Sequence, residues 1–134
     1  CIDALMNYKF GELPYRSLHF EFSTIDKEEY QPVATVNYPC NYEFTRITEF
    51  KKLTMQKHPK TTIMKEFSTW YDHNDEKLDP LYPIPKKESE DLYTRYLEEV
   101  NNYSQIVLAG RLANYKYFTM AETIRNALDI VSNL

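Results

Sequence analysis

Hydrophobic and polar positions follow two rhythms along the chain, and each marks a different element. From Leu18 to Ile25 the apolar Leu18, Phe20 and Phe22 alternate with His19, Glu21 and Ser23. That period of two predicts a half-buried strand, led in by Tyr15-Arg16-Ser17. Val33 to Tyr38 predicts a second strand, stopped by Pro39. Phe44 to Phe50 predicts a third, with Phe44, Arg46, Thr48 and Phe50 on one face and Thr45, Ile47 and Glu49 on the other. Thr61 to Ser68 predicts a fourth. The joints at Asp26 to Gln31 and Lys51 to Lys60 are polar and short, so the succession predicts an antiparallel sheet. Thr69 to Leu81 reads as a polar loop.

Beyond Tyr82-Pro83-Ile84-Pro85 the rhythm becomes helical. Lys86 to Tyr103 carries Leu92, Tyr93, Tyr96, Leu97 and Val100 as one apolar stripe, with Glu90, Arg95 and Glu98 on the wet face. Ile106-Val107-Leu108-Ala109 is wholly apolar and closed by Gly110, which predicts a short strand buried on both faces. A connector follows from Gly110 to Phe118. Thr119-Met120-Ala121-Glu122 has capping-box spacing, a hydroxyl for a first-turn amide and a carboxylate three residues on. Met120, Ile124, Ala127, Leu128 and Val131 then repeat at helical spacing up to Leu134. Amides and the positive dipole end at that helix start favour an anion held by the connector. At the other end, Ile2 to Tyr8 reads as a short helix ended by Gly11, and Glu12-Leu13-Pro14 as a turn.

These elements amount to an α+β fold: an antiparallel sheet over 15–85, then a helix, a short buried strand and a C-terminal helix over 86–134. The 134 residues suffice for a single domain with a modest core. Charged residues make up 27% and apolar residues 43%, a globular balance. The formal charge of -4 argues against nucleic acid as partner. No apolar run approaches the roughly 20 residues of a membrane span, so no membrane partner is expected. Cys1 and Cys40 form neither a metal spacing nor a disulfide framework, in keeping with a cytoplasmic setting. The only glycines, Gly11 and Gly110, stand too far apart for a dinucleotide fingerprint or a phosphate-binding loop. With Cys1 rather than Met at its start, the chain reads as an excised piece of a longer protein.

The residues with candidate chemistry are Arg16, Arg46, Arg111, Lys116, Tyr82, Tyr115 and Tyr117. They make an anion-clamp set: guanidinium forks for phosphate oxygens, phenols as neutral donors, and ring faces for a base or ring. Arg46 sits on a face with two phenylalanines and needs a partner, a diphosphate or carboxylate of a ligand or else Glu49 or Glu66 of its own chain. Asn37 offers a donor and an acceptor to a sugar or flavin edge. No nucleophile, no Ser-His-Asp arrangement and no defensible carboxylate pair is present, so no catalytic residue is assigned within this chain. The acidic run around His73 lacks the glycine and spacing of a calcium loop; no metal site is expected, and His73 reads as a solvated surface group.

The string GRLANYKYFTM (110–120) resembles the C-terminal signature of the UDP-galactopyranose mutase family, roughly G-R-L-x-x-Y-K-Y-x-D-M. The family's Y-R-S-L-x-F-E, V-V-N-Y, T-R-I, K-T-I-x-x-E-Y-S and Y-Y-P-V have counterparts here in the same order, starting at Tyr15, Thr35, Thr45, Thr61 and Leu81. The resemblance implies the C-terminal part of an isomerase that interconverts UDP-galactopyranose and UDP-galactofuranose, with reduced FAD supplying the nucleophile at its N5 atom. It implies that Arg46, Tyr82 and Tyr117 hold the substrate diphosphate, that Asn37 lines the sugar side, and that Arg111, Thr119 and Met120 lie against the cofactor. Arg16 and Glu66 take supporting roles. Thr119 stands where the family has Asp, and Phe50 where the family's T-R-I strand ends in His.

By the same resemblance the chain is a fragment of a larger FAD-binding α/β protein, holding the substrate-side sheet and the last strand and helix of the flavin part. UDP-galactose is the expected substrate, and neither retention of FAD nor turnover is expected of the fragment alone. A homo-oligomer formed through a surface bared by excision would be an artefact of it. The main alternative is a non-catalytic nucleotide or sugar-phosphate binding module, favoured by the missing glycine motif. An amine-oxidase-like flavoenzyme and a module pairing through its sheet edges are the others.

Overall fold

A computed structural model describes residues 1–133. In chain order the elements are α1 (Ile2–Leu5), β1 (Tyr15–Ile25), β2 (Thr35–Asn37), β3 (Arg46–Glu49), α2 (Phe50–Thr54), β4 (Thr61–Trp70), β5 (Tyr82–Pro83), α3 (Lys87–Val100), α4 (Gly110–Ala113) and α5 (Met120–Ser132). The fold is α+β, and its strands run in the order β2-β3-β4-β1-β5. Two compact units divide the chain: Leu18–Thr69, and Cys1–Ser17 together with the residues from Trp70 onward.

The sheet unit, Leu18–Thr69, holds β2, β3 and the greater part of β4 and β1. β2 and β3 pair antiparallel with Val36 opposite Ile47, and β3 and β4 do so with Thr48 opposite Met64. β3 ends one residue earlier than the alternation predicts, because Phe50 opens α2 inside what reads as a plain connection. That helix stops at Met55, which takes the left-handed conformation at φ 55°. Lys51 pins the return, its Nζ donating to the carbonyls of His58 at 2.6 Å and Lys60 at 3.2 Å. The buried set is small and mostly polar: Ile47 and Ile63, with Gln31, Thr48, Glu49 and Thr61. The expected apolar face of β1 is not covered, since Phe20 is 40% and Phe22 64% exposed. Phe22 stacks on Phe50 at 6.1 Å.

The helical unit has the denser core. Ile2, Leu13, Tyr15, Tyr96, Val100 and Tyr115 are buried together, and Leu92, Tyr93, Ile106, Leu108 and Leu112 pack around them. α3 therefore buries the stripe its periodicity predicts. Tyrosine suits this core because a buried phenol can find a main-chain partner: the Tyr96 hydroxyl donates to the Gly11 carbonyl at 2.6 Å and accepts the Phe10 amide at 3.0 Å. β1 begins at Tyr15, earlier than the alternation shows, because Tyr15 and Arg16 pair with Pro83 and Tyr82 of β5.

Ile106 to Ala109 is not a strand. A strand is defined by a ladder partner, and no described residue offers one to this run. Ile106 and Leu108 pack on the core while Val107 is 49% exposed. The apolar face of α5 is also uncovered: Met120, Ile124, Leu128 and Val131 are 62–85% exposed. Leu134, the last residue of the predicted helix, lies outside the described residues.

Candidate functional site

In the sheet unit, strand register assembles three of the candidates. Asn37 stands opposite Arg46 across β2–β3, and Arg46 opposite Glu66 across β3–β4. Arg46 Nε donates to Asn37 Oδ1 at 2.9 Å, and its Nη1 lies 3.6 Å from Glu66 Oε2. Thr45 Oγ1 steadies this row by donating to the Glu66 carbonyl at 3.1 Å. So the partner that Arg46 requires within its own chain is Glu66. The Arg46 side chain nonetheless remains 45% exposed. It carries five N–H groups in a planar fork. With one edge engaged by Asn37, the head is held in one orientation and the remaining donors can meet an anion.

Glu49 was the other possible partner, and it does something different. It is fully buried, accepting the amides of Tyr30 at 3.0 Å and Gln31 at 3.1 Å and the Thr61 hydroxyl at 2.7 Å. Burial by itself would push its pKa up, but these three donors and the charge of Lys52 outweigh that and hold it below its ordinary value. Glu49 anchors the loop that leads into β2 on β3 and β4. Its sequence signal was its place on one face with Ile47, where a solvated carboxylate does not belong.

In the helical unit, α4, β5 and the loop before α5 form the second cluster. The Arg111 guanidinium donates to the Phe118 carbonyl through Nε at 3.2 Å and Nη2 at 2.6 Å. Its Cζ lies 4.8 Å from the Tyr117 ring centre and 5.5 Å from that of Tyr82. Those two rings are stacked, 6.0 Å apart and inclined by 20°. Tyr117 is 61% exposed. Gly110 permits the arrangement by taking φ 83°, while its amide donates to Asn126 Oδ1 at 3.1 Å. Arg111 and Met120, with Thr123 and Ile124, line an open hollow of about 360 Å³.

The capping box forms as its spacing predicts. The Thr119 amide and hydroxyl donate to Glu122 Oε2 at 2.7 and 2.8 Å, and Thr119 Oγ1 accepts the Glu122 amide at 3.3 Å. Those bonds hold the Glu122 carboxyl below its ordinary pKa. The box engages the amides of Thr119 and Glu122 at the start of α5. Tyr115 also leaves the anion-clamp set. It is buried, with its hydroxyl 2.8 Å from the Pro14 carbonyl and 2.9 Å from that of Ile84, and its ring stacked on Tyr93. Lys116 is exposed, its Nζ 5.6 Å from the Phe118 ring. Among the described residues Arg16 makes no ion pair; it stacks over Trp70 at 4.7 Å. His73 is half-buried rather than solvated, 3.1 Å from Glu12 Oε1 and packed on Tyr8. Among the described residues no three His, Cys, Asp or Glu side chains gather as metal ligands, and no helix is long and apolar enough to cross a membrane.

A family model described as UDP-galactopyranose mutase matches residues 1–117. The UDP-galactopyranose mutase of Mycoplasma genitalium is 36% identical over 92% of this chain and 31% of its own length. A probable UDP-galactopyranose mutase of Klebsiella pneumoniae is 36% identical over 95% of the chain and 33% of its own length. A dTDP-fucopyranose mutase of Escherichia coli is 32% identical over 96% of the chain and 34% of its own length. The chain thus spans about a third of the length of the curated relatives it matches.

Proposed function

Because the chain belongs to the UDP-galactopyranose mutase family, we propose that it is the C-terminal part of a flavin-dependent cytoplasmic enzyme that interconverts UDP-galactopyranose and UDP-galactofuranose for cell-surface polysaccharide. The observation that carries this reading is the row Asn37–Arg46–Glu66, in which strand register sets the two partners that orient the half-exposed Arg46 side chain. A fork so held loses little freedom on meeting a diphosphate, and its charge offsets that of a departing nucleoside diphosphate. Glu66 limits that charge in the unliganded state and keeps the fork in place.

Tyr82 and Tyr117 supply phenol donors for the same kind of group, and Asn37 presents its amide nitrogen to a sugar hydroxyl. Arg111 and Met120 suit the edge of a flat, partly anionic ring system. A guanidinium tied to a carbonyl borders a mostly apolar hollow there. Reduced flavin, when bound, supplies the nucleophile for the anomeric carbon, which no residue of this chain provides. Thr119 shapes the start of α5 through its cap and does not offer the charge of a carboxylate. The fragment alone holds no dinucleotide fingerprint, its two glycines being Gly11 and Gly110, so stoichiometric flavin on the purified 134-residue chain would overturn that part of the reading.

The test is turnover by the full-length protein with reduced flavin, wild type against Arg46→Ala. We expect kcat/KM to fall by about 100-fold or more, roughly 2.7 kcal/mol, with flavin still bound. Unchanged turnover would remove Arg46 from the diphosphate role. Turnover of dTDP-fucopyranose in preference to the UDP-galactose pair would move the substrate to that of the Escherichia coli relative.

A further inference from the structure

The helical unit contains a cavity of about 220 Å³ lined by Asp3, Tyr8, Glu12, Tyr15, Trp70 and Tyr71 among others. It is acidic and aromatic, the opposite of the cationic clusters above, and none of its residues serves the proposed reaction. Asp3 is 1% exposed. Its Oδ2 accepts the Leu13 amide at 3.0 Å, but its Oδ1 has no partner among the described residues. The Tyr15 hydroxyl, on a side chain that is also 1% exposed, has none either.

A buried carboxylate oxygen without a donor is costly, and native structures rarely leave one so. What would satisfy it is an N–H donor, and a positively charged one offsets the buried charge as well. Glu12 adds a second carboxylate, shared with His73 at 3.1 Å. Tyr8 and Tyr71 present aromatic rings, whose faces attract cations. Trp70 already shows that attraction toward the chain's own Arg16 at 4.7 Å. The volume exceeds the roughly 30 Å³ share of one water several-fold.

We propose that this cavity binds a small organic cation. An alkylammonium group would donate to Asp3 Oδ1 and Tyr15 Oη, with Tyr8 and Tyr71 flanking the carbon chain and Glu12 at the side. The same head group occurs on free amines and on lysine side chains.

Trp70 is the only tryptophan, so its fluorescence reports on the cavity directly. The 134-residue chain is titrated with n-butylammonium, with N-acetyl-lysine methylamide and with neutral 1-butanol, and heats are measured in parallel. Saturable binding of either cation, at least 10-fold tighter than 1-butanol, is expected; the tighter of the two cations identifies the source. Asp3→Asn should weaken binding at least 10-fold. Asp3 also holds the Leu13 amide, so Tyr8→Leu and Glu12→Gln, each checked by circular dichroism, provide variants less tied to folding; each should weaken binding about threefold or more. Equal response to 1-butanol, no saturable response at all, or full affinity in a folded Asp3→Asn chain would each overturn the proposal and leave a water-filled cavity.

Discussion

The sheet unit and the helical unit solve the problem of a small core in opposite ways. The helical unit buries large rings and ties phenols to carbonyls, Tyr96 to Gly11 and Tyr115 to Pro14 and Ile84. The sheet unit buries few apolar side chains and relies on one carboxylate, Glu49, to gather two amides and a hydroxyl. The arginines differ in the same sense. Arg111 is held by a carbonyl and ring faces, while Arg46 is held by an amide and a carboxylate across a register. Burial of rings tolerates no large truncation; a polar anchor depends on charge and hence on pH.

The sharpest way to break this comparison is Tyr96→Ala. Emptying a fully buried ring site should cost about 3–5 kcal/mol, read as a fall in thermal midpoint and as lost amide protection in α3. If protection in α3 survives, the ring core is not what holds that unit.

A smaller loss is expected from Glu49→Gln. The amide can accept through one oxygen, but its NH₂ then faces a main-chain donor, Tyr30 or Gln31. Hydrogen bonds to a charged group contribute about 1.5–3 kcal/mol, so the loss should fall in that range and appear in the amides of Tyr30 and Gln31 first. Unchanged exchange at those two amides would show that Glu49 does not anchor them.

The smallest effect is the pH dependence that Glu49 imposes. Its folded pKa lies below the ordinary 4.5, so the unfolded chain takes up the proton more readily. The stabilisation is therefore present above about pH 4.5 and is lost as pH falls through the depressed folded value. The difference in thermal midpoint between wild type and Glu49→Gln should be constant near neutrality and shrink below about pH 4.5. A difference that stays constant to pH 3 would contradict the assigned direction.

Much of the architecture was legible because it rests on near neighbours. The stripe of α3 and the box of Thr119 and Glu122 are set by residues three or four apart, and both formed where their spacing placed them. The alternation in β1 and β4 identified the strands, and the ordered motifs identified the family. Arg46 could be singled out from its face alone, and its in-chain partner narrowed to two glutamates. Which of them it was could not, since that depends on how β3 and β4 align. Tyr115 and Tyr117 are indistinguishable as letters, two apart in one loop, yet one is core and the other open to solvent.

By itself, then, the sequence determined the two long helices, the four main strands, the cap and the family, all of which are encoded in short-range spacing or in ordered strings. Only the tertiary structure decided that Ile106 to Ala109 has no ladder, that the apolar face of α5 is bare among the described residues, that Glu49 is an anchor and that Asp3 ends in a cavity. Each of those depends on what stands opposite a residue, and a partner distant in sequence leaves no mark on the local pattern.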